Sequence, residues 1–297
     1  MRRIQIPSIS QIPLYNLKEK DEVTPSPRSR SNASGVTRSS SNAESTSMAA
    51  PRLVKSILYG SQEGQKEEAE LEQSYGKVLA RGKYVHEIQF HKVKPDRTQE
   101  YCDLVGKTFP MLANDAENRV NLVGSWKTEV GDIDTFVHIW EYHGYAGYHR
   151  TLEAANSLPI FKEYQKKISE LVVDRRRDLM QEFSFWNTAA PRTLGGLFEL
   201  RSYRLHPGNL LEWETHWRKG LECRRQVMEP VGAWFTQLGA LNTVHHLWQY
   251  TDLQHRKISR DRCWQLPGWS DTVHKTVPLI ETMDARILVP LEFSPIR

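Results

Sequence analysis

From position 83 onward, apolar and polar residues follow each other in an order that spells the same set of elements twice. In "KYVHEIQFHKV" (83–93) they alternate with the period of two that sends successive side chains to opposite faces of a strand. Lys94-Pro95 follows, and a proline fits a first helical position because its missing N–H would find no helical partner there. Tyr101, Leu104, Val105, Phe109 and Leu112 then recur at three-to-four spacing, the stripe of an amphipathic helix. "VNLVGSWKTE" (120–129) and "DTFVHIWEY" (134–142) read as strands joined by a hairpin at Gly131-Asp132. A helical stretch over 145–174, interrupted near Pro159, leads into a closing strand, "DLMQEFSFW".

The second pass begins at "GLFELRSYRL". His206-Pro207-Gly208 opens a helix with Leu210, Trp213, Trp217 and Leu221 on one face. "VGAWFTQLG" and "NTVHHLWQY" form the hairpin, the helical stretch 252–282 is broken at Pro267-Gly268, and "ARILVPLEF" is the last strand. The order is β-α-β-β-α-β, twice, which is the ferredoxin-like motif. Such a unit carries both helices on one face of an antiparallel sheet and leaves the other face apolar and bare. A sister unit tethered in the same chain is the nearest cover. The expected fold is therefore α+β, tandem ferredoxin-like repeats packing as an intramolecular dimeric α/β barrel, with repeats at 83–188 and 196–297.

The stretch before the repeats has a different character. Residues 1 to about 52 are rich in Ser, Pro, Asn, Arg and Thr, with almost nothing to fill a core, and read as disordered. Residues 61–82 read as a polar linker, so 1–82 is expected to be tail and linker. The first seventeen residues, "MRRIQIPSISQIPLYNL", bear arginine and serine and no acid, which suits a mitochondrial transit peptide. Pro7 and Pro13 interrupt an amphipathic helix there, so a plain disordered tail is an equal reading.

Charge and cysteine content narrow the partners. A formal charge of +4, part of it in the tail, does not argue for nucleic acid. The densest basic run of the body, Arg175-Arg176-Arg177, lies between Asp174 and Asp178 and reads as a solvated helix end. No run approaches the ~18 uncharged apolar residues that a membrane-spanning helix needs, so no integral membrane segment is expected. Cys102, Cys223 and Cys263 are far apart, outside any Cys-x-x-Cys pair, and fall in helical segments; a reducing compartment and unreactive thiols are expected.

The candidate chemistry is sparse. His138, Trp140 and Tyr142 occupy alternate positions of one strand, and His246, Trp248 and Tyr250 repeat them 108 residues later. A duplicated unit repeats its packing residues, so these six are read as packing side chains with hydrogen-bonded tips. The alternative is a ligand pocket between the two sheets, with His138 and His246 facing it. His143 and His149 near His138 lack the acidic or thiol neighbours of a metal site. Glu199, Arg201 and Tyr203 alternate on one strand with Arg204 on its other face; an ion pair is the expected use, a ligand-binding arginine the alternative. P-loop, Gly-x-Gly-x-x-Gly and Gly-x-Ser-x-Gly patterns are missing, and no catalytic, cofactor-binding or metal-ligating residue is assigned.

"LVGSWKTEVGDIDTFVHIWEY", "EFSFWN", "FELRSYRLHPG", "LLEWETHWRKGL", "VHHLWQY", "TVPLI" and "ARILVPLEFSP", in this order, resemble the NIPSNAP family over about residues 84–297. The resemblance implies duplicated dimeric α/β-barrel domains, related at fold level to small monooxygenase and haem-binding proteins. It implies no defined catalytic residue and no cofactor. It implies a mitochondrial protein, on the matrix side, with the cytoplasm as the alternative because the leader differs from the family's. It further implies a non-catalytic role in mitochondrial quality control, in which partners are autophagy receptors and the ubiquitin-like proteins of the autophagosome. Tyr101-Cys102-Asp103-Leu104 and Phe235-Thr236-Gln237-Leu238 fit the short aromatic-to-aliphatic motif such proteins bind, and both fit core packing as well. Homo-oligomers are left open. The second function class is a monooxygenase-like or haem- or small-ligand-binding enzyme using the space between the sheets.

Overall fold

The alternating strands and amphipathic stripes close into a single barrel of eight antiparallel strands in the order β1-β3-β2-β8-β5-β7-β6-β4. The computed structural model describes residues 84–114 and 120–297. The expected tail, linker and transit peptide over 1–82 lie outside the described residues. The first repeat comprises β1 (Val85–Val93), a 3-10 turn (Pro95–Arg97), α1 (Thr98–Asn114), β2 (Val120–Val130), β3 (Thr135–Tyr142), α2 (Gly144–Ser157), α3 (Pro159–Leu171) and β4 (Val172–Glu182). The second comprises β5 (Leu197–Leu205), α4 (Leu210–Arg225), β6 (Glu229–Leu238), β7 (Thr243–Tyr250), α5 (Leu253–Gln265), α6 (Trp269–Thr276), a 3-10 turn (Val277–Leu279) and β8 (Ile280–Pro290). The tandem ferredoxin-like, dimeric-barrel architecture expected from the pattern is the one observed.

Each repeat contributes four neighbouring strands, and the sheets join along β2–β8 and β4–β6. The faces turned toward each other carry Ile88, Phe90, Trp126, Val137, Phe198, Trp234, Leu247 and Leu288, all nearly inaccessible. The outer faces carry the helices and two further apolar clusters, one per repeat.

One device is written twice in the barrel wall. Gly124 precedes Trp126 by two residues, and Gly232 precedes Trp234 by two. A Cβ at Gly124 or Gly232 would lie 2.3 Å from the indole of its own tryptophan. The glycines are therefore the floor on which the interior tryptophans lie, and the pairing of both strands with their hairpin partners shifts at these positions.

Two expectations need correction, and they have one cause. The arginine run is not a helix end: α3 stops at Leu171, and Arg175, Arg176 and Arg177 stand within β4. β8 likewise begins at Ile280, well before the expected start at 285. The first half of β4 pairs only with β1, and β6 joins it from Leu179 onward. β8 pairs only with β5 until β2 joins at Ile287. A strand bordered on one side and exposed elsewhere needs no apolar alternation, so the pattern that marks a half-buried strand is missing there. Arg176 instead lies over the Phe90 ring at 4.4 Å and pairs with buried Asp178 at 3.3 Å.

The chain order also exchanges material between repeats. The residues after β4, Phe183 and Trp186, pack in the helix layer of the second repeat. The residues after β8, Leu291 and Phe293, pack in that of the first.

Candidate functional site

The helix stripe of the first repeat does not fill the space above its sheet. Between the outer faces of β1, β3 and β4 and the helices α1–α3 lies a cavity of about 500 Å³, within the range of small-ligand sites. Its walls combine apolar rings (Phe109, Trp140, Tyr164) with polar groups from the strands (Glu87, Gln89, His91, and Arg175 and Arg177 of β4).

Beneath it runs a buried chain of hydrogen bonds. His91 Nδ1 lies 2.7 Å from the Tyr101 hydroxyl, that hydroxyl 2.7 Å from His138 Nε2, and His138 Nδ1 2.9 Å from Ser125 Oγ. Tyr101 has one proton to donate, so one of the two imidazoles must donate to it and the other accept. Burial, with smaller contributions from Arg175 and Arg177, holds His91 down at about 3. Burial and the His91 neighbour put His138 well below the usual histidine range. Burial likewise pushes the Tyr101 phenol well above its ordinary value. At neutral pH the three groups stay uncharged.

Glu87 is committed elsewhere. It accepts from Tyr142 Oη at 2.6 Å and Gln89 Nε2 at 2.8 Å, and pairs with Arg177 at 2.9 Å. Its counterpart, Glu199, pairs with Arg201 at 2.7 Å and Arg256 at 2.6 Å.

The sequence candidates fall as follows. His138, Trp140 and Tyr142 point out of the barrel toward α1–α3, and His246, Trp248 and Tyr250 toward α4–α6. The space between the sheets, expected as the alternative ligand pocket, is occupied by the Trp126, Trp234, Phe198 and Phe90 rings, so the two histidines do not face it. All six side chains are buried, as the packing reading expects: His138 has partners on both ring nitrogens and Trp248 Nε1 donates to His246 Nδ1 at 2.7 Å, but His246 Nε2 is buried without a partner among the described residues. His143 and His149 are exposed, and no group of three or more metal-ligating side chains occurs among the described residues. Arg204 pairs with Glu281 of the neighbouring strand at 3.2 Å. Cys223 and Cys263 are buried, Cys102 half-buried, and burial raises all three thiols.

Sequence reasoning missed His91 and the cavity. The offset that aligns the repeats shows where their helix layers differ. β1 maps on β5, and α1 on α4, with a shift of 112 residues, which sets Val105 against Trp217. After β4 and β8 the shift is 108, which sets Ser294 against Trp186. Two positions that carry indoles in the second repeat are small in the first, and Trp186 stacks on Trp217 with centroids 5.4 Å apart. Neither small position lines the first-repeat cavity, so the exchange marks a difference in core packing between the two helix layers.

Fold and site together define a class: a double-repeat dimeric α/β-barrel protein with a helix-covered cavity in each repeat. The NIPSNAP family profile matches residues 86–186 and 198–295, so both repeats are recognised, and the chain belongs to the NIPSNAP family. It is 41% identical over 214 residues to NipSnap homolog 1 of Danio rerio, covering 72% of this chain and 77% of that one. It is 40% identical over 216 residues to NipSnap homolog 2 of Homo sapiens, covering 72% and 75%. Among solved structures, a candidate monooxygenase from Lactobacillus acidophilus superposes with a TM-score of 0.53 at 11% identity, covering 70% of this chain and 93% of that one. That likeness shows a shared fold.

Proposed function

We propose that this protein is a non-catalytic NIPSNAP-type protein of mitochondrial quality control, presenting its folded surface to autophagy receptors and to ubiquitin-like proteins of the autophagosome. The observation that supports the reading is the family match across both repeats. The two short motifs do not supply the contact: Tyr101 and Phe235 are buried in the folded chain. Recognition therefore uses another surface, and Tyr101→Phe is expected to leave it intact. The test has two parts. Protease protection in intact mitochondria, before and after depolarisation, is expected to show a protected protein that becomes accessible. Purified chain is expected to bind an autophagy receptor directly; no binding, together with unchanged mitophagy in cells lacking the protein, would overturn the reading.

A second reading has its own support, the cavity over His91: binding or oxygen-dependent conversion of a small molecule in the first repeat. Ala155 is nearly inaccessible and lines that cavity, so Ala155→Leu fills it with little disturbance of the sheet. Native mass spectrometry of the purified protein is expected to show a bound small molecule that this variant loses. Identical spectra for the two proteins would remove the reading.

A further inference from the structure

The smaller cavity, in the second repeat, is crowded with arginines. It measures about 190 Å³ and lies between β5 and the helices α4–α6. Arg201, Arg224 and Arg260 line it, and Arg256 stands one helical turn before Arg260 on α5. Among the described residues, Glu199 is the carboxylate paired with any of the four, and it is already shared by Arg201 and Arg256. Nε of Arg201 donates to the Tyr203 hydroxyl at 2.5 Å.

Arg224 is the exceptional member. It is 4% exposed, and its Nε and Nη1 atoms have no hydrogen-bond partner in the protein. Its guanidinium lies 4.6 Å from the Trp269 ring and 5.3 Å from the Trp248 ring. Arg260 Nη1 and Trp213 Nε1 line the same cavity and are also buried without partners. All four orphaned atoms are donors. Burial, with Arg224 and Arg201 nearby, lowers Arg260, as expected for cations crowded without enough counter-charge. A buried guanidinium left unpaired is costly, and an anionic acceptor removes the cost. The other walls are flat and apolar, with Trp213 and Trp217 stacked at 4.7 Å.

We propose that the second repeat holds a binding site for a small aromatic carboxylate, its oxyanion held by Arg224 and Arg260 and its ring lying among Trp213, Trp217 and Trp269. The volume, about six times the ~30 Å³ share of a liquid water, limits the ligand to roughly benzoate size. The site is separate from the first-repeat cavity and independent of the partner-binding reading. It also differs from it in kind. In the first repeat the position aligned with Arg224 is Leu112, so the arginine is a feature of the second copy alone.

Benzoate and inorganic phosphate are the probes, titrated into the full chain and followed by tryptophan fluorescence and by thermal unfolding. Benzoate is expected to give a saturable quench and a raised Tm, and to bind more tightly than phosphate. Arg224→Met is expected to weaken benzoate on the order of tenfold or more, the loss of a charge-assisted hydrogen bond, without lowering Tm when no anion is present. Arg260→Gln, at a half-buried helix position, carries the same test if Arg224→Met fails to fold. No saturable response to either probe overturns the proposal. So does an unchanged benzoate affinity in the folded variants, and phosphate binding as tightly as benzoate overturns the aromatic part of the site.

Discussion

Tyr101 shows how one hydroxyl can organise a buried site. It stands between His91 and His138 with 2.7 Å to each, so Tyr101→Phe leaves two ring nitrogens facing a phenyl edge. Unsatisfied buried groups cost about 1–3 kcal/mol each, and urea denaturation of the variant is expected to show a loss of that order with the barrel retained. The same burial sets a pH dependence. His91 and His245 titrate at about 3 in the folded chain, and His138 and His246 also lie well below the ordinary 6.5. Unfolded histidines take up protons below 6.5 while the folded ones do not, so this part of the stability is complete above pH 6.5 and is lost as pH falls toward 3. His91 and His245 each withdraw up to about 2 kcal/mol between pH 6.5 and 5. Glu199 adds to the loss at lower pH. Burial alone would raise it, but Arg256 and Arg201 hold it at about 2, so its contribution is present above 4.5 and disappears below that. Urea midpoints measured at pH 7.5, 6 and 5 are expected to fall steadily, and a flat profile would contradict the buried, neutral histidines.

At the scale of elements, β2 and β6 are defined by a glycine two residues before a tryptophan. Gly232→Ala drives a methyl group into the Trp234 ring, and because the ring is enclosed by the barrel it cannot swing away. Overpacking of this kind costs about 1–3 kcal/mol, and calorimetry is expected to show the loss for Gly124→Ala as well. The breaks inside the two long helical stretches were legible from local chemistry, because Pro159 and Pro267-Gly268 interrupt them whatever surrounds them. The starts of β4 and β8 were not. Val173 through Arg177 and Glu281 through Asp284 are exposed, and only pairing with β1 and β5 makes them strands. Arg224 was legible in principle. It follows Trp217 and Leu221 by seven and three residues, on the apolar face of α4, where a charged side chain needs a partner or a ligand.

For the whole molecule, the interior of the barrel belongs to neither repeat. Ile88, Trp126 and Val137 of the first pack with Phe198, Trp234 and Leu288 of the second, and two strand seams close around them. The exchange of Phe183 and Trp186 for Leu291 and Phe293 ties the helix layers as well. The described body is therefore expected to unfold in one transition. Tryptophan fluorescence and far-ultraviolet circular dichroism should coincide across a denaturant series; two separated transitions would show that each repeat is stable without its sister.

The order of elements, the duplication, the bare sheet faces that demand a partner and the family were determined by sequence, because each is written in short-range periodicity, turn residues and repeated blocks. Tertiary structure decided which face each histidine meets, and it placed His138 under the helices rather than between the sheets. It also decided that each repeat keeps a cavity under its helices, the second smaller and lined by indoles around unpaired arginines. Those outcomes depend on which distant side chains share a volume, and neither periodicity nor propensity carries that information.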